Sequence, residues 1–187
     1  NGEPIRSSTL LGTVSSEDAR AAASEWGFNC GPAALCAVTG LTPDQVRPHL
    51  GNFEEKRYSN PALMANALHS LKIPFRRVYE CSVKVDNRPP DYPHVGLVRV
   101  QWAGPWTNPG VPIRVRYRKT HWIAVAHQSR GTDERDRGVF DINAIGAGSW
   151  ISWNEWVKYM IPWILRHCVP KSSGEWWPTH CWETASA

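Results

Sequence analysis

Phe28-Asn29-Cys30-Gly31-Pro32-Ala33-Ala34-Leu35-Cys36-Ala37-Val38-Thr39-Gly40 holds the sharpest turn-to-helix signal in the chain. Asn29 to Pro32 forms a turn, a helix runs from Ala33 to about Thr39, and Gly40 stops it. Pro32 suits the first turn, where its missing N–H costs nothing. The turn sets the Cys30 thiol at a helix N-terminus, where unpaired N–H groups favour thiolate. Gly31 leaves room there for a substrate backbone. Cys36 falls mid-helix on the apolar side, the usual place of a structural cysteine, and the bland role for Cys30 is the same, a small core hydrophobe.

Working outward, Asn1 to Val14 reads as an arm, and Ser15-Ser16-Glu17-Asp18 opens an Ala-rich helix to about Trp26. Downstream, Thr42-Pro43-Asp44-Gln45 has capping-box spacing and predicts a helix to about Leu50. Asn60-Pro61 starts another, with Leu63, Met64, Ala67, Leu68 and Leu71 on one face, ended by Pro74. Phe75–Glu80, Gly96–Trp102, Ile113–Arg118, His121–Gln128 and Val139–Ala144 then read as strands, the last two as a hairpin. Ser152-Trp153-Asn154-Glu155 is a second capping box, predicting a helix to about Ile161, before Pro162. The Trp-rich tail from Glu175 to Glu183 fits either state. Helices first and a mostly antiparallel sheet afterwards is an α+β pattern. It gives a single domain over 15–187, with a helical half at about 15–73 and a sheet half at about 74–187.

Composition narrows the function classes. The chain has 187 residues, within the size that one core serves, since division into domains sets in beyond ~250 residues. Eleven Trp supply enough aromatic area to exclude a disordered chain. A net charge of +4 is too weak to argue for nucleic acid, and no apolar run spans a bilayer. Five cysteines at irregular spacing do not form a secreted disulfide framework, so a reducing, cytoplasmic setting is the simpler expectation.

A nucleophilic thiol needs a base. Of seven histidines, His121 stands apart because the apolar run Trp122–Ala126 behind it fixes the ring at a rigid strand end. The hairpin partner supplies Asp141 and Asn143, two residues apart and therefore on one strand face. Either can accept from the imidazole and fix its tautomer. Counting across the turn places Asn143 nearer to His121.

Cys-Gly-Pro-Ala opening an N-terminal helix, a later strand beginning His-Trp, and a hairpin strand ending in Asp or Asn together resemble the papain-like cysteine peptidases. Within them, the bacteriocin-leader (double-glycine) peptidases and their stand-alone relatives are the nearest in motif. The resemblance spans about Trp26 to Ile164 and rests on Asn29–Leu35, His121–Ala126 and Val139–Asn143. It implies a papain-like fold, Cys30 as nucleophile, His121 as base, and Asp141 or Asn143 as orienting residue. It also implies a peptide or protein substrate and no metal or cofactor. The family carries a Gln shortly before the cysteine to complete the oxyanion hole, whereas Ser24 stands here, followed by Glu25. Asn29 and the backbone N–H of Cys30 are the candidate donors in its place, and Trp122 is a candidate wall of the groove together with Trp102 and Trp106.

The expected function is thus a thiol hydrolase, a cysteine peptidase working through an acyl-enzyme. An acyltransferase, transglutaminase or deamidase would use the same Cys-His pair, and a non-catalytic module would use the fold alone. A nucleic-acid binder built on Arg114, Arg116 and Arg118 would show steep salt dependence. Those arginines with Arg99 could equally face an acidic partner or only solvent. His167, Cys168, His180 and Cys181 offer zinc-ligand types without knuckle spacing, and Cys168 and Cys181 could instead pair as a disulfide.

Overall fold

The computed structural model describes residues 29–81, 84, 92–127, 137–147 and 150–184. The arm, the Ala-rich helix to Trp26, Ser24 and Glu25 lie outside them. Within them the protein is α+β, with helices before the first strand and between later strands of one six-stranded antiparallel sheet.

Helix α1 (Cys30–Thr39) starts earlier than its sequence suggests, because Asn29 is its N-cap and accepts the Gly31 N–H. Gly40 ends it in the left-handed region at φ 73°. Helix α2 (Pro43–Val46) has the expected reciprocal Thr42–Gln45 capping box. After α3 (Phe53–Lys56), helix α4 (Pro61–Ser70) is capped by Asn60 and buries Met64, Ala65, Ala67 and Leu68.

Strands β1 (Phe75–Glu80), β2 (Val95–Trp102), β3 (Thr120–His127), β4 (Arg137–Phe140), β5 (Trp150–Ser152) and β6 (Trp176–Thr184) assemble in the order β1-β6-β2-β3-β4-β5. The Trp-rich tail is therefore an interior strand, inserted between β1 and β2. Residues alternate between the two faces of the sheet. Leu97, Trp122, Ala124, Ala126 and Trp182 meet α1, while Val98, Val100, Ile123, Val125 and Cys181 meet the C-terminal helices. Alanines on both sides, Ala33, Ala34 and Ala37 on α1 against Ala124 and Ala126 on β3, let that helix lie close to the sheet.

Several sequence expectations are corrected. Ile113–Arg118 is no strand, and it pairs with none of the six strands of the sheet. It folds as helix α5 (Ile113–Arg116), whose first turn closes on the Pro112 carbonyl. Strand β4 stops at Phe140, and a 3₁₀ turn follows over Ile142–Ala147. The helix launched by Ser152 does not stop before Pro162. It runs as α6 (Trp153–Glu155), a π-type segment at Trp156–Met160, and α7 (Ile161–His167). The wide π turn tolerates the missing N–H of Pro162, and the N–H of Ile161 reaches back to the Trp156 carbonyl. The supposed sheet half thus carries a helical layer of its own. Cys168 is exposed, Cys181 is buried in the sheet, and no disulfide joins them.

Candidate active site

Three elements bring the candidate residues together at one end of the sheet. Cys30 is the first residue of α1, His121 the second of β3, and Asp141 the first residue after β4. His121 is buried at 6% exposure, with its ring stacked on Trp102 at a centroid distance of 6.2 Å. Its Nε2 lies 2.9 Å from Oδ1 of Asp141, leaving the other ring nitrogen for the thiol of Cys30, which lines the same cleft and feels the charge of the ring.

Asp141 is completely buried, and its charge is held by donors on both oxygens. Oδ1 also accepts the Asn143 backbone N–H at 2.9 Å, and Oδ2 accepts the indole N–H of Trp156 at 2.8 Å. A buried carboxylate without such partners would take up a proton instead.

The electrostatics follow from this geometry. Burial pushes the Cys30 thiol up, but the His121 charge, the hydrogen bond to its ring and the backbone N–H of Trp122 more than offset that. The thiol ends below its ordinary value, even with the opposing charge of Asp141 nearby. Burial would lower His121, yet Asp141 and the Cys30 thiolate hold it well above the ordinary imidazole value. Burial raises Asp141, and His121, Trp156 and the Asn143 N–H together bring it below the carboxylate range. All three directions favour a thiolate–imidazolium pair backed by a carboxylate.

Asn143 lines the same cleft lobe as His121, but its side chain makes no hydrogen bond to the imidazole. Continuing the β3–β4 register would set it opposite His121, but the strand ends first. In the 3₁₀ turn that follows, the Asn143 backbone N–H donates to Asp141. Of the two, Asp141 is the residue whose side chain meets the imidazole.

Asn29 is a helix cap. Its Oδ1 accepts the Gly31 N–H at 3.2 Å, and its Nδ2 donates to the Arg57 carbonyl at 3.3 Å. An arrangement in which Asn29 aims its amide at an oxyanion is not the one seen. Gly31 is also corrected. It is buried, and a Cβ there would collide with the side chain of Ser59, so its small size admits the Arg57–Asn60 loop rather than substrate. Trp122 anchors the same loop, donating its indole N–H to the Ser59 carbonyl at 3.0 Å.

Cys30 sits between two lobes of a cleft. One, of about 510 Å³, is bounded by Tyr58, Ser59, Arg99, Tyr117 and Trp122. The other, of about 560 Å³, is bounded by Trp102, His121, Asn143 and Ile164. Trp106 does not line either lobe, since its indole folds back on the Trp102 carbonyl at 2.7 Å. His167, Cys168, His180 and Cys181 do not gather, and no three His, Cys, Asp or Glu cluster as a metal site among the described residues.

Sequence reasoning missed Trp156 and the Arg57–Asn60 loop. The capping box at Ser152 placed Trp156 early on a helix, but indole donors also serve purely structural cores, so nothing tied it to Asp141. No family model matches the chain, and no curated protein or solved structure matches it.

Proposed function

We propose that the protein is a papain-like thiol hydrolase in which Cys30, His121 and Asp141 form the catalytic triad. One observation carries the proposal: a helix-start cysteine that lines one cleft with a buried histidine, whose Nε2 lies 2.9 Å from a fully buried aspartate. A carboxylate desolvated this completely is costly to maintain, and orienting a histidine that must carry charge gives it a role.

The Cys30 thiolate attacks an acyl carbon, forming a C–S bond as the carbonyl electrons move onto oxygen. The backbone N–H of Cys30, first in its helix and without an intrahelical acceptor, is placed to meet that oxyanion. Imidazolium His121 gives its thiol-side proton to the leaving amine. It then takes a proton from water as the thioester is hydrolysed, which regenerates the thiolate. Throughout, Asp141 holds the ring by Nε2, and Trp156 holds Asp141.

The test is an active ester, p-nitrophenyl acetate, with intact-protein mass and nitrophenolate release recorded together. The proposal expects a burst of nitrophenolate, acetyl on Cys30, and continued turnover in water, all lost in His121→Ala. Acetyl on another residue, or a burst at Cys30 that survives His121→Ala, would overturn the triad. A burst that turns over only when an amine is added would make the protein a transferase.

A further inference from the structure

The lobe on the Tyr58 side of Cys30 is bordered by Arg99, Arg114 and Arg118, and no Asp or Glu lines it among the described residues. Arg99 is the unusual member. It is 4% exposed on the α1 face of β2, and its Nε is buried without a hydrogen-bond partner. One Nη donates to Thr120 Oγ1 at 3.1 Å, and the guanidinium lies over the Tyr117 ring at 5.3 Å. A desolvated guanidinium is expensive unless an anion faces it. The groups acting on its charge are the phenol of Tyr117 and the thiol of Cys30, and burial still outweighs them, lowering Arg99 to about 10. It remains a cation at neutral pH.

The orientation of the reaction says which part of a substrate enters this lobe. The leaving amine must meet the proton on His121, and His121 lines only the other lobe. The acyl portion therefore lies on the arginine side. Polynucleotides bring anions but no acyl carbon to Cys30, whereas an acidic peptide brings both.

Resting on the thiol-hydrolase function, we propose that the Arg99–Arg114–Arg118 lobe binds a carboxylate of the acyl portion, so that the substrate is a peptide with an acidic residue at its scissile carbonyl. Guanidinium–carboxylate hydrogen bonds are charge-assisted and often bidentate, which gives orientation as well as affinity. Arg114 and Arg118 are exposed and can close over the ligand from α5 and the turn after it, while Arg99 waits at the floor.

The experiment compares two peptidyl chloromethyl ketones, acetyl-alanyl-glutamyl and acetyl-alanyl-glutaminyl, whose chloride the Cys30 thiolate displaces. Adduct formation on Cys30 is followed by mass, with iodoacetamide as the neutral reference. The glutamyl reagent should react at least about tenfold faster than its twin. That ratio should shrink with added salt and fall towards one in Arg99→Gln. The exposed Arg114→Gln and Arg118→Gln, which leave the core intact, should each lower it partway. Equal rates for the two reagents, with Cys30 still alkylated quickly by iodoacetamide at pH 6, would overturn the carboxylate site and spare the hydrolase. Equal rates together with protection of Cys30 by an oligonucleotide would assign the lobe to nucleic acid. A Cys30 inert to all three reagents would overturn both proposals.

Discussion

Helices α1 and α4 are each ten residues long, each follows an Asn that accepts a first-turn N–H, and each has proline in that turn. Their surroundings differ. α1 is buried almost all round, from Gly31 to Val38, whereas α4 buries Met64, Ala65, Ala67 and Leu68 and leaves a polar face outside. At the first helical position α4 has Pro61 and α1 has Cys30; at the second, α4 has Ala62 and α1 has Gly31. A capped helix start contributes only about 0.3–1 kcal/mol to a nearby charge. Such a start is alone at α4, whereas at α1 strand β3 and the end of β4 bring His121 and Asp141 to the same place, and the proposed function rests on that addition.

The comparison can be broken or sharpened by substitution. Trp156→Phe should have the largest effect. It strips a donor from a fully buried carboxylate and should cost about 1.5–3 kcal/mol in chemical denaturation. It should also raise the pH at which Cys30 becomes reactive, since a less firmly held Asp141 supports His121 less well. If stability falls without that shift, Trp156 is packing alone and the site does not depend on it.

Gly31→Ala comes next. Its Cβ would run into Ser59, whereas α4 already carries alanine at the matching place. Overpacking of this kind costs about 1–3 kcal/mol, and Ser59→Gly in the same chain should restore most of it. An unaffected melting temperature for Gly31→Ala would mean that the loop yields, and that Gly31 is small for some other reason.

The smallest effect separates the two caps. Asn29→Ala and Asn60→Ala should each cost about 1 kcal/mol. Acylation of Cys30 should fall less than tenfold in Asn29→Ala, because the amide is committed to Arg57. A loss of about 10² or more would restore Asn29 as an oxyanion donor.

The comparison also shows what the sequence made legible. Asn, Pro and Gly mark both helix starts because they act through their own backbone, and the Thr42 and Ser152 boxes are read for the same reason. Cys30 and His121 could be singled out because each stands where a turn meets a rigid element. The choice between Asp141 and Asn143 could not be made, since it depends on where β4 stops, and that is set by tertiary packing. The strand pattern at Ile113–Arg118 misled because alternation records only which residues are polar, and a strand also needs a partner to pair with, which this segment does not take. Arg114 and Arg118 do fall near Arg99, as the charged group read in the sequence allows, but they border the cleft from a helix and the turn after it.

The central claim is that His121 and Asp141, rather than the helix start alone, make Cys30 a thiolate. Its direct test is the rate of iodoacetamide alkylation at Cys30 from pH 5 to 9, with free N-acetylcysteine as the reference thiol. Because the Cys30 pKa is lowered, its thiolate persists as pH falls to values where an ordinary thiol is protonated. Cys30 should therefore react quickly at pH 6 while N-acetylcysteine does not. In His121→Ala the chief offset to burial is lost, and the Cys30 profile should move to higher pH. Coincident profiles for Cys30 and N-acetylcysteine in the wild-type protein, or a fast Cys30 at pH 6 that persists in His121→Ala, would contradict the account.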